Sequence, residues 1–199
     1  MKKIVLTGGP CSGKTTILQV LNEEFGSRIV FVPEVATILL KGGFPVPGNH
    51  LPWSEEWQSA FQSAVLPLQQ SIEDAYVLMA SKNGCQLLIS DRGLLDGAAY
   101  TPGGITEFCH RYKVDIDEAL SRYAAVIHLE SLATAEQDKY DKTGNEARFE
   151  PLARAQELEQ ATRQAWQNHP RRVIIDGRRG IGGKINQVIG IVQFVLAEK

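Results

Sequence analysis

The sequence predicts an α/β fold with three layers, in which helices cover both faces of a five-stranded parallel sheet. Two observations support this fold class. Five short runs of apolar and β-branched residues alternate with segments of helical pattern, as in proteins built from strand–helix–strand units. The length of 199 residues suits one domain, residues 1–199, and no repeat, low-complexity tract or linker divides it.

The predicted strands are short and mostly apolar, as expected for strands that are buried on both faces. In chain order they cover residues 4–7, 28–33, 86–90, 124–129 and 172–175. Helical patterns cover residues 16–21, 54–81, 151–168 and 184–197, and a Gly/Pro-rich loop covers residues 41–52. Ser54 is placed to cap its helix, and Pro67 is expected to kink that helix or split it in two.

The turn after the first strand carries a phosphate-binding pattern. Gly8, four residues, then Gly13, Lys14 and Thr15 satisfy G-x-x-x-x-G-K-[ST] between a strand and a helix. Glycines let backbone N–H groups point at an anion, and the helix N-terminus adds partial positive charge. Lys14 is expected to reach the β- and γ-phosphates and Thr15 to ligate Mg²⁺. The expected nucleotide contacts are Gly8, Gly9, Pro10, Cys11, Ser12, Gly13, Lys14, Thr15 and Thr16. The alternative is a glycine-rich turn beside a solvated lysine, and the complete context favours the phosphate loop.

Composition narrows the class of protein. The chain is 43% hydrophobic and 22% charged, like ordinary soluble proteins, and its net charge of −2 gives no basic field for nucleic acid or an anionic membrane. Cys11, Cys85 and Cys109 are odd in number and far apart, which favours reduced thiols over a disulfide framework. No signal peptide is visible, and the apolar run over residues 185–196 is expected to be too short to span a bilayer. We therefore expect a cytoplasmic protein without nucleic-acid or membrane partners.

Charged residues close the predicted strands where ligands bind in open parallel sheets, beyond the carboxyl ends. Glu34 follows the second strand, Asp91 and Arg92 follow the third, Glu130 the fourth and Asp176 the fifth. Asp91 is expected to hold Mg²⁺ or to take a hydroxyl proton, and Arg92 to bridge a carboxylate or a phosphate. Solvated turns are the alternative for each of them.

Several short motifs resemble those of known kinases. Asp91-Arg92-Gly93, followed by Asp96, resembles the Asp/Glu-Arg-x motif of nucleoside and nucleotide monophosphate kinases. Glu34 occupies the position at which deoxynucleoside kinases place a catalytic glutamate. Together with the phosphate loop, Pro33-Glu34-Val35-Ala36 and Asn145-x-x-Arg148-x-Glu150, this order resembles the ribosylnicotinamide-kinase-like (NadR-like) AAA family of P-loop NTPases. The resemblance implies a kinase-type core that uses ATP and Mg²⁺, with Lys14, Glu34, Asp91, Arg92 and Arg148 as catalytic residues.

The resemblance also implies a lid over about residues 131–150. Such a lid closes over the transferred phosphate and supplies an arginine, for which Arg148 is favoured and Arg154 is a second candidate. The alternative is a solvated loop that leads into a helix, with an ion pair between Glu150 and Arg154.

The acceptor region implied by the resemblance covers about residues 34–66. Its aromatic side chains could stack on a ring, and its amides could bind one edge of that ring: Trp53, Trp57, Phe61, Gln58 and Gln62. A core stripe is the favoured alternative for the aromatic residues. His128 lies in a strand and is expected to be structural. Arg178, next to Arg179, is expected either to border the purine of the donor nucleotide or to be part of a solvated turn.

Two classes of function remain open. The first is a small-molecule kinase that transfers the γ-phosphate of ATP to a nucleoside-like acceptor. The second is a nucleotide-dependent ATPase or GTPase switch or binding module. Asp91-Arg92-Gly93-Leu94 does not satisfy the Asp-x-x-Gly pattern of Ras-type GTPases, which favours the kinase. Acceptor identity, the choice between ATP and GTP, and assembly, including a homodimer, are left open by the sequence.

Overall fold

The computed structural model describes residues 1–48, 50–135 and 151–198. Its five described strands form one parallel sheet in the order β2-β3-β1-β4-β5. They are β1 (Lys2–Gly8), β2 (Ile29–Val32), β3 (Leu87–Asp91), β4 (Ala125–Leu129) and β5 (Arg172–Ile175). The predicted α/β class and the five predicted strands are confirmed.

The helices lie in two layers, one on each side of the sheet. They are α1 (Lys14–Phe25), α2 (Val35–Lys41), α3 (Glu55–Lys82), α4 (Gly104–Tyr112), α5 (Ile116–Ser121), α6 (Leu132–Ala135), α7 (Leu152–Ala165) and α8 (Gly180–Ala197). Short 3₁₀ helices cover Gly26–Arg28, Leu94–Tyr100 and Gly177–Arg179.

Alternating side chains of the sheet build the two cores. Ile4 of β1 points into the core that contains Ile17 of α1 and Val192 of α8. Val5, the next residue, belongs to the opposite core with Phe108 of α4 and Trp166 after α7. All six residues are at most 1% exposed, so both faces of the sheet are covered and its carboxyl edge is left for the loops.

Helix α3 is continuous through Pro67, so a split into two helices is wrong. Proline removes one backbone donor, but Leu66 and Gln69 on either side of it are buried and hold the helix against the sheet layer. The predicted cap is confirmed, because Oγ of Ser54 accepts from the backbone N–H of Trp57 at 3.1 Å.

Besides the four-residue α6, three short helices lie where no helix was predicted. The chain enters α2 directly after Glu34, and α4 and α5 follow the 3₁₀ helix at Leu94–Tyr100. They have seven, nine and six residues, too few turns for a clear apolar period.

Helix α8 begins four residues earlier than predicted. With the preceding 3₁₀ turn it forms a helical segment, Gly177–Ala197, that is long and apolar enough by length and composition to cross a membrane, although the apolar run over residues 185–196 is by itself too short. Within this segment Val188, Val192 and Val195 are buried against the sheet core, whereas most of its residues are not buried.

Candidate functional site

The phosphate loop follows β1 and enters α1. Gly8 has φ 145° and Gly13 has φ 91°, and Cys11 between them also has a positive φ of 56°. A Cβ at Gly8 would lie 2.2 Å from the carbonyl oxygen of Leu129, and one at Gly9 would lie 2.4 Å from Oε2 of Glu159. Gly8 is therefore required by close packing and by backbone conformation, and Gly9 by close packing alone.

The side chain of Lys14 lies over this loop. Its Nζ is 3.2 Å from the carbonyl oxygen of Gly8, 3.4 Å from that of Gly9 and 3.3 Å from Oγ of Ser12. Thr15 and Thr16 follow it in the first turn of α1 and are exposed. Lys14 and Thr15 are thus neighbours at the start of α1. The side of the loop over which the Lys14 amine lies is here called its front.

Asp91 ends β3 and lies beside Leu6 of β1 in the sheet register, so it is placed next to the phosphate loop. Within residues 1–48, 50–135 and 151–198, no group of three or more His, Cys, Asp or Glu residues could hold a metal. Magnesium keeps water and phosphate oxygens as ligands and needs only one or two from the protein. The carboxylate of Asp91 and the hydroxyl of Thr15 fit that donor set.

The backbone of Arg92 is in the left-handed conformation, with φ 70°. The residue is buried, with 7% of its surface exposed. Nε donates to Oε1 of Glu34 at 2.7 Å, and Nη1 lies 3.2 Å from Oδ1 of Asp96 and 3.4 Å from the carbonyl oxygen of Gly8. Nη2 is buried and has no hydrogen-bond partner among the described residues. Arg92 thus keeps one buried donor that no described residue pairs.

Asp96 is a buried carboxylate that supports Arg92. It also accepts from the hydroxyl of Thr7, from the backbone N–H of Gly93 at 3.0 Å and from Nε1 of Trp166 at 3.1 Å. Asp96 is part of the sequence motif, in which it has no predicted role. In the structure its carboxylate accepts hydrogen bonds from four groups, which explains why the segment after β3 requires an aspartate there.

Glu34 lies between β2 and α2 and is half-buried. Besides Arg92, it accepts a hydrogen bond from Oγ1 of Thr37 to Oε2 at 2.5 Å. Each of its carboxylate oxygens therefore has a donor, and the side chain is held in one place.

Two buried side chains that the sequence analysis did not single out for the site contact the rear of the phosphate loop. Oε2 of Glu159 accepts from the N–H groups of Gly9 at 3.1 Å and Ser131 at 3.0 Å, and Oε1 lies 2.6 Å from Nε2 of His128. Burial raises the pKa of Glu159, but the hydrogen bond and charge of His128 outweigh it and lower the pKa. Nζ of Lys184 donates to the carbonyl oxygen of Ser12.

Helical spacing offered a signal for Glu159, because it belongs to the buried face of α7 with Ala155, Leu158 and Thr162. His128 is buried in β4, as expected for a structural residue.

Three aromatic residues of the predicted acceptor region form a cluster at the start of α3. Trp57 stacks on Phe61 with ring centroids 5.0 Å apart, and Phe44 contacts both edge-on. Trp53 stands apart, with 56% of its surface exposed. Gln58 and Gln62 are buried.

Like Nη2 of Arg92, one polar atom of Gln62 is buried without a partner among the described residues. This atom is Oε1, and a Cβ on Gly97 would lie 2.4 Å from it. A glycine at position 97 therefore leaves room for this amide.

The remaining predicted arginines are on the surface or outside the described residues. Arg178 is exposed and forms an ion pair with Asp176 at 2.8 Å, and its hydrogen bonds lower the pKa of Asp176 to about 2. Arg154 pairs with Glu157 at 3.0 Å. Arg148, Glu150 and the expected lid beyond residue 135 lie outside the described residues.

Comparisons with known proteins agree with this architecture. The fold is similar to that in the structure of deoxyadenosine kinase from M. mycoides with bound dATP, with a TM-score of 0.55 and 15% identity, over 97% of this chain and 100% of that chain. No curated protein sequence matches the chain. The resemblance to P-loop nucleoside and nucleotide kinases is confirmed at the level of fold, whereas its ribosylnicotinamide-kinase-like branch stays a prediction. A family model described as an AAA domain matches residues 3–182, and the chain therefore belongs to the AAA domain family.

Proposed function

We propose that this chain is a phosphotransferase that moves the γ-phosphoryl group of MgATP to a small nucleoside-like acceptor. The observation that carries the proposal is the contact between Arg92 and Glu34 at the edge of the phosphate loop. It sets a buried cation, whose Nη2 has no hydrogen-bond partner among the described residues, beside the carboxylate of Glu34. Phosphoryl transfer can use both groups, because a cation neutralises charge on the transferred group and a carboxylate positions the attacking hydroxyl.

On the donor side, the loop from Gly8 to Thr16 would bind the phosphates and Lys14 would neutralise their charge. Thr15 and Asp91 would hold Mg²⁺, which would supply charge neutralisation for the transferred phosphoryl group. Arg178, in the loop after β5, would border the purine. Arg148 would be supplied by the lid at about residues 131–150 within one domain of residues 1–199.

On the acceptor side, Glu34 would take the proton of the attacking hydroxyl, with Asp91 as the rival base. The stacked rings of Trp57 and Phe61 belong to the proposed acceptor region, residues 34–66, and Oε1 of Gln62 has no hydrogen-bond donor among the described residues. A nucleobase offers both a flat ring and an N–H donor. Its recognition by these side chains would explain a buried amide oxygen that nothing in the described protein satisfies.

The proposal is tested by nucleotide turnover with a panel of acceptors. Formation of ADP or GDP is measured from MgATP or MgGTP, alone and with deoxyadenosine, the other deoxynucleosides, nicotinamide riboside and nucleoside monophosphates. We expect fast turnover with one class of acceptor and a phosphorylated product in equal amount. Slow hydrolysis that no acceptor accelerates, with nucleotide binding intact, would favour the switch or binding module instead.

A further inference from the structure

The amine of Lys184 is buried behind the phosphate loop. The residue is 3% exposed, and its Nζ donates to the carbonyl oxygen of Ser12 at 3.0 Å and to that of Glu130 at 2.6 Å. Ser12 belongs to the loop, Glu130 follows β4 and Lys184 lies in α8. One amine therefore joins three segments at the carboxyl edge of the sheet.

The contact fixes the direction of one loop peptide. In a trans peptide the C=O and N–H bonds point to opposite sides. Because the carbonyl of Ser12 is turned toward Lys184, the N–H of Gly13 points away from α8, as is required of an amide that faces an anion in front of the loop.

A second residue of α8 closes the same side of the loop. Gly13 has φ 91°, and a Cβ there would lie 2.8 Å from Cδ1 of Ile181, one turn before Lys184. Helix α8 thus supports the loop from behind with one apolar contact and one charged contact.

We propose that Lys184 is a positioning residue for phosphate binding. It holds the peptide between Ser12 and Gly13 and places a positive charge behind the loop, whereas Lys14 lies over the front. The inference rests on the proposed function, since it requires the loop to bind a nucleoside triphosphate.

The test compares Lys184→Met, Lys184→Arg and the surface control Lys82→Met. Binding of MgATP is measured by calorimetry, KM and kcat with the best acceptor by steady-state kinetics, and thermal unfolding without nucleotide. Lys184→Met is expected to weaken MgATP binding about tenfold or more and to raise the KM for MgATP more than it lowers kcat. The variant should stay folded with a modestly lower unfolding midpoint, because the carbonyl oxygens of Ser12 and Glu130 lose their donor. Lys184→Arg should recover much of the affinity, and Lys82→Met should match the wild type.

Two results would overturn the inference. The first is wild-type affinity for MgATP in Lys184→Met. The second is a loss of fold without nucleotide in both Lys184 variants, which would make the amine a structural residue only. A wild-type protein that binds MgATP but phosphorylates no acceptor would contradict the proposed kinase activity and leave the role of Lys184 to be judged from the binding data.

Discussion

Nε of Arg92 lies 2.7 Å from Oε1 of Glu34, and this ion pair joins the carboxyl ends of two neighbouring strands, β3 and β2. Burial alone would lower the pKa of Arg92, but the charges of Tyr100, Glu34, Asp96 and Asp91 outweigh it and raise the pKa well above its ordinary value. The guanidinium therefore stays charged at any working pH, and Glu34 faces a permanent cation.

Replacement of Lys14 by alanine should abolish tight nucleotide binding while the fold survives. The amine contacts loop oxygens rather than the core, and loss of a charged donor to phosphate should weaken MgATP binding about 100-fold. Calorimetric titration with MgATP measures the loss, and thermal unfolding without nucleotide checks the fold. A folded variant with unchanged affinity would remove the phosphate loop from the proposed mechanism.

Asp91→Asn should lower kcat far more than nucleotide affinity. If Asp91 handles Mg²⁺ or the acceptor proton, we expect kcat to fall at least about 100-fold. Both constants are measured across a range of Mg²⁺ concentrations. A large loss of thermal stability with full activity per folded molecule would instead identify a structural aspartate.

Gly9→Ala should disturb the phosphate loop at its contact with Glu159. The new Cβ would lie 2.4 Å from Oε2 of Glu159, which is itself held by His128, so the loop must move at a cost of about 1–3 kcal/mol. Nucleotide affinity should fall with the free energy of unfolding. Gly190→Ala is the control, because its Cβ meets nothing within 4 Å and it should stabilise α8 by about 0.5–1 kcal/mol. If Gly9→Ala lowered nucleotide affinity and the free energy of unfolding no more than Gly190→Ala does, the side chain of Glu159 would be shown to move aside without cost.

The Glu159 carboxylate should contribute to stability in a pH-dependent way. Its folded-state pKa is lowered from the ordinary value of 4.5, so its contribution is present above that pH and is lost as the pH falls through the lower folded value. Glu159→Gln should cost about 2 kcal/mol at pH 7 and progressively less below pH 4.5.

Urea unfolding between pH 3 and pH 7 measures this difference. The control is Glu157→Gln on the same helix, whose exposed ion pair should contribute less than about 0.5 kcal/mol. A stability difference between Glu159→Gln and the wild type that does not change with pH would rule out the carboxylate charge as its source.

Local patterns were sufficient for the strands, the phosphate loop and the cap at Ser54, because each depends on neighbours in sequence. The contacts of Glu159 and Lys184 with the phosphate loop were not predictable in this way. Glu159 is 150 positions from Gly9 and Lys184 is 172 positions from Ser12, so their contacts exist only once the sheet order brings α7 and α8 to β1. A buried charge on an apolar helix face is a weak sign of such contacts, since it needs a partner.

Glu34→Gln distinguishes a kinase from a switch. The two carboxylate oxygens accept from Nε of Arg92 and from the hydroxyl of Thr37. A glutamine can direct its oxygen at Arg92 and its amide nitrogen at the Thr37 hydroxyl, which is able to accept. The variant should therefore keep its fold and its affinity for MgATP while it loses the ability to take a proton.

In a kinase, transfer to the acceptor should then fall about 10²–10⁴-fold, because a positioned base is worth that much in rate. In a switch without an acceptor, nucleotide binding and basal hydrolysis should both stay near the wild-type values. Transfer and hydrolysis are measured in the same samples, with Asp91→Asn alongside as the rival base. Full transfer activity in Glu34→Gln together with its loss in Asp91→Asn would move the role of base to Asp91, since Asp91 ends the strand next to the phosphate loop and Glu34 would then serve only to hold Arg92.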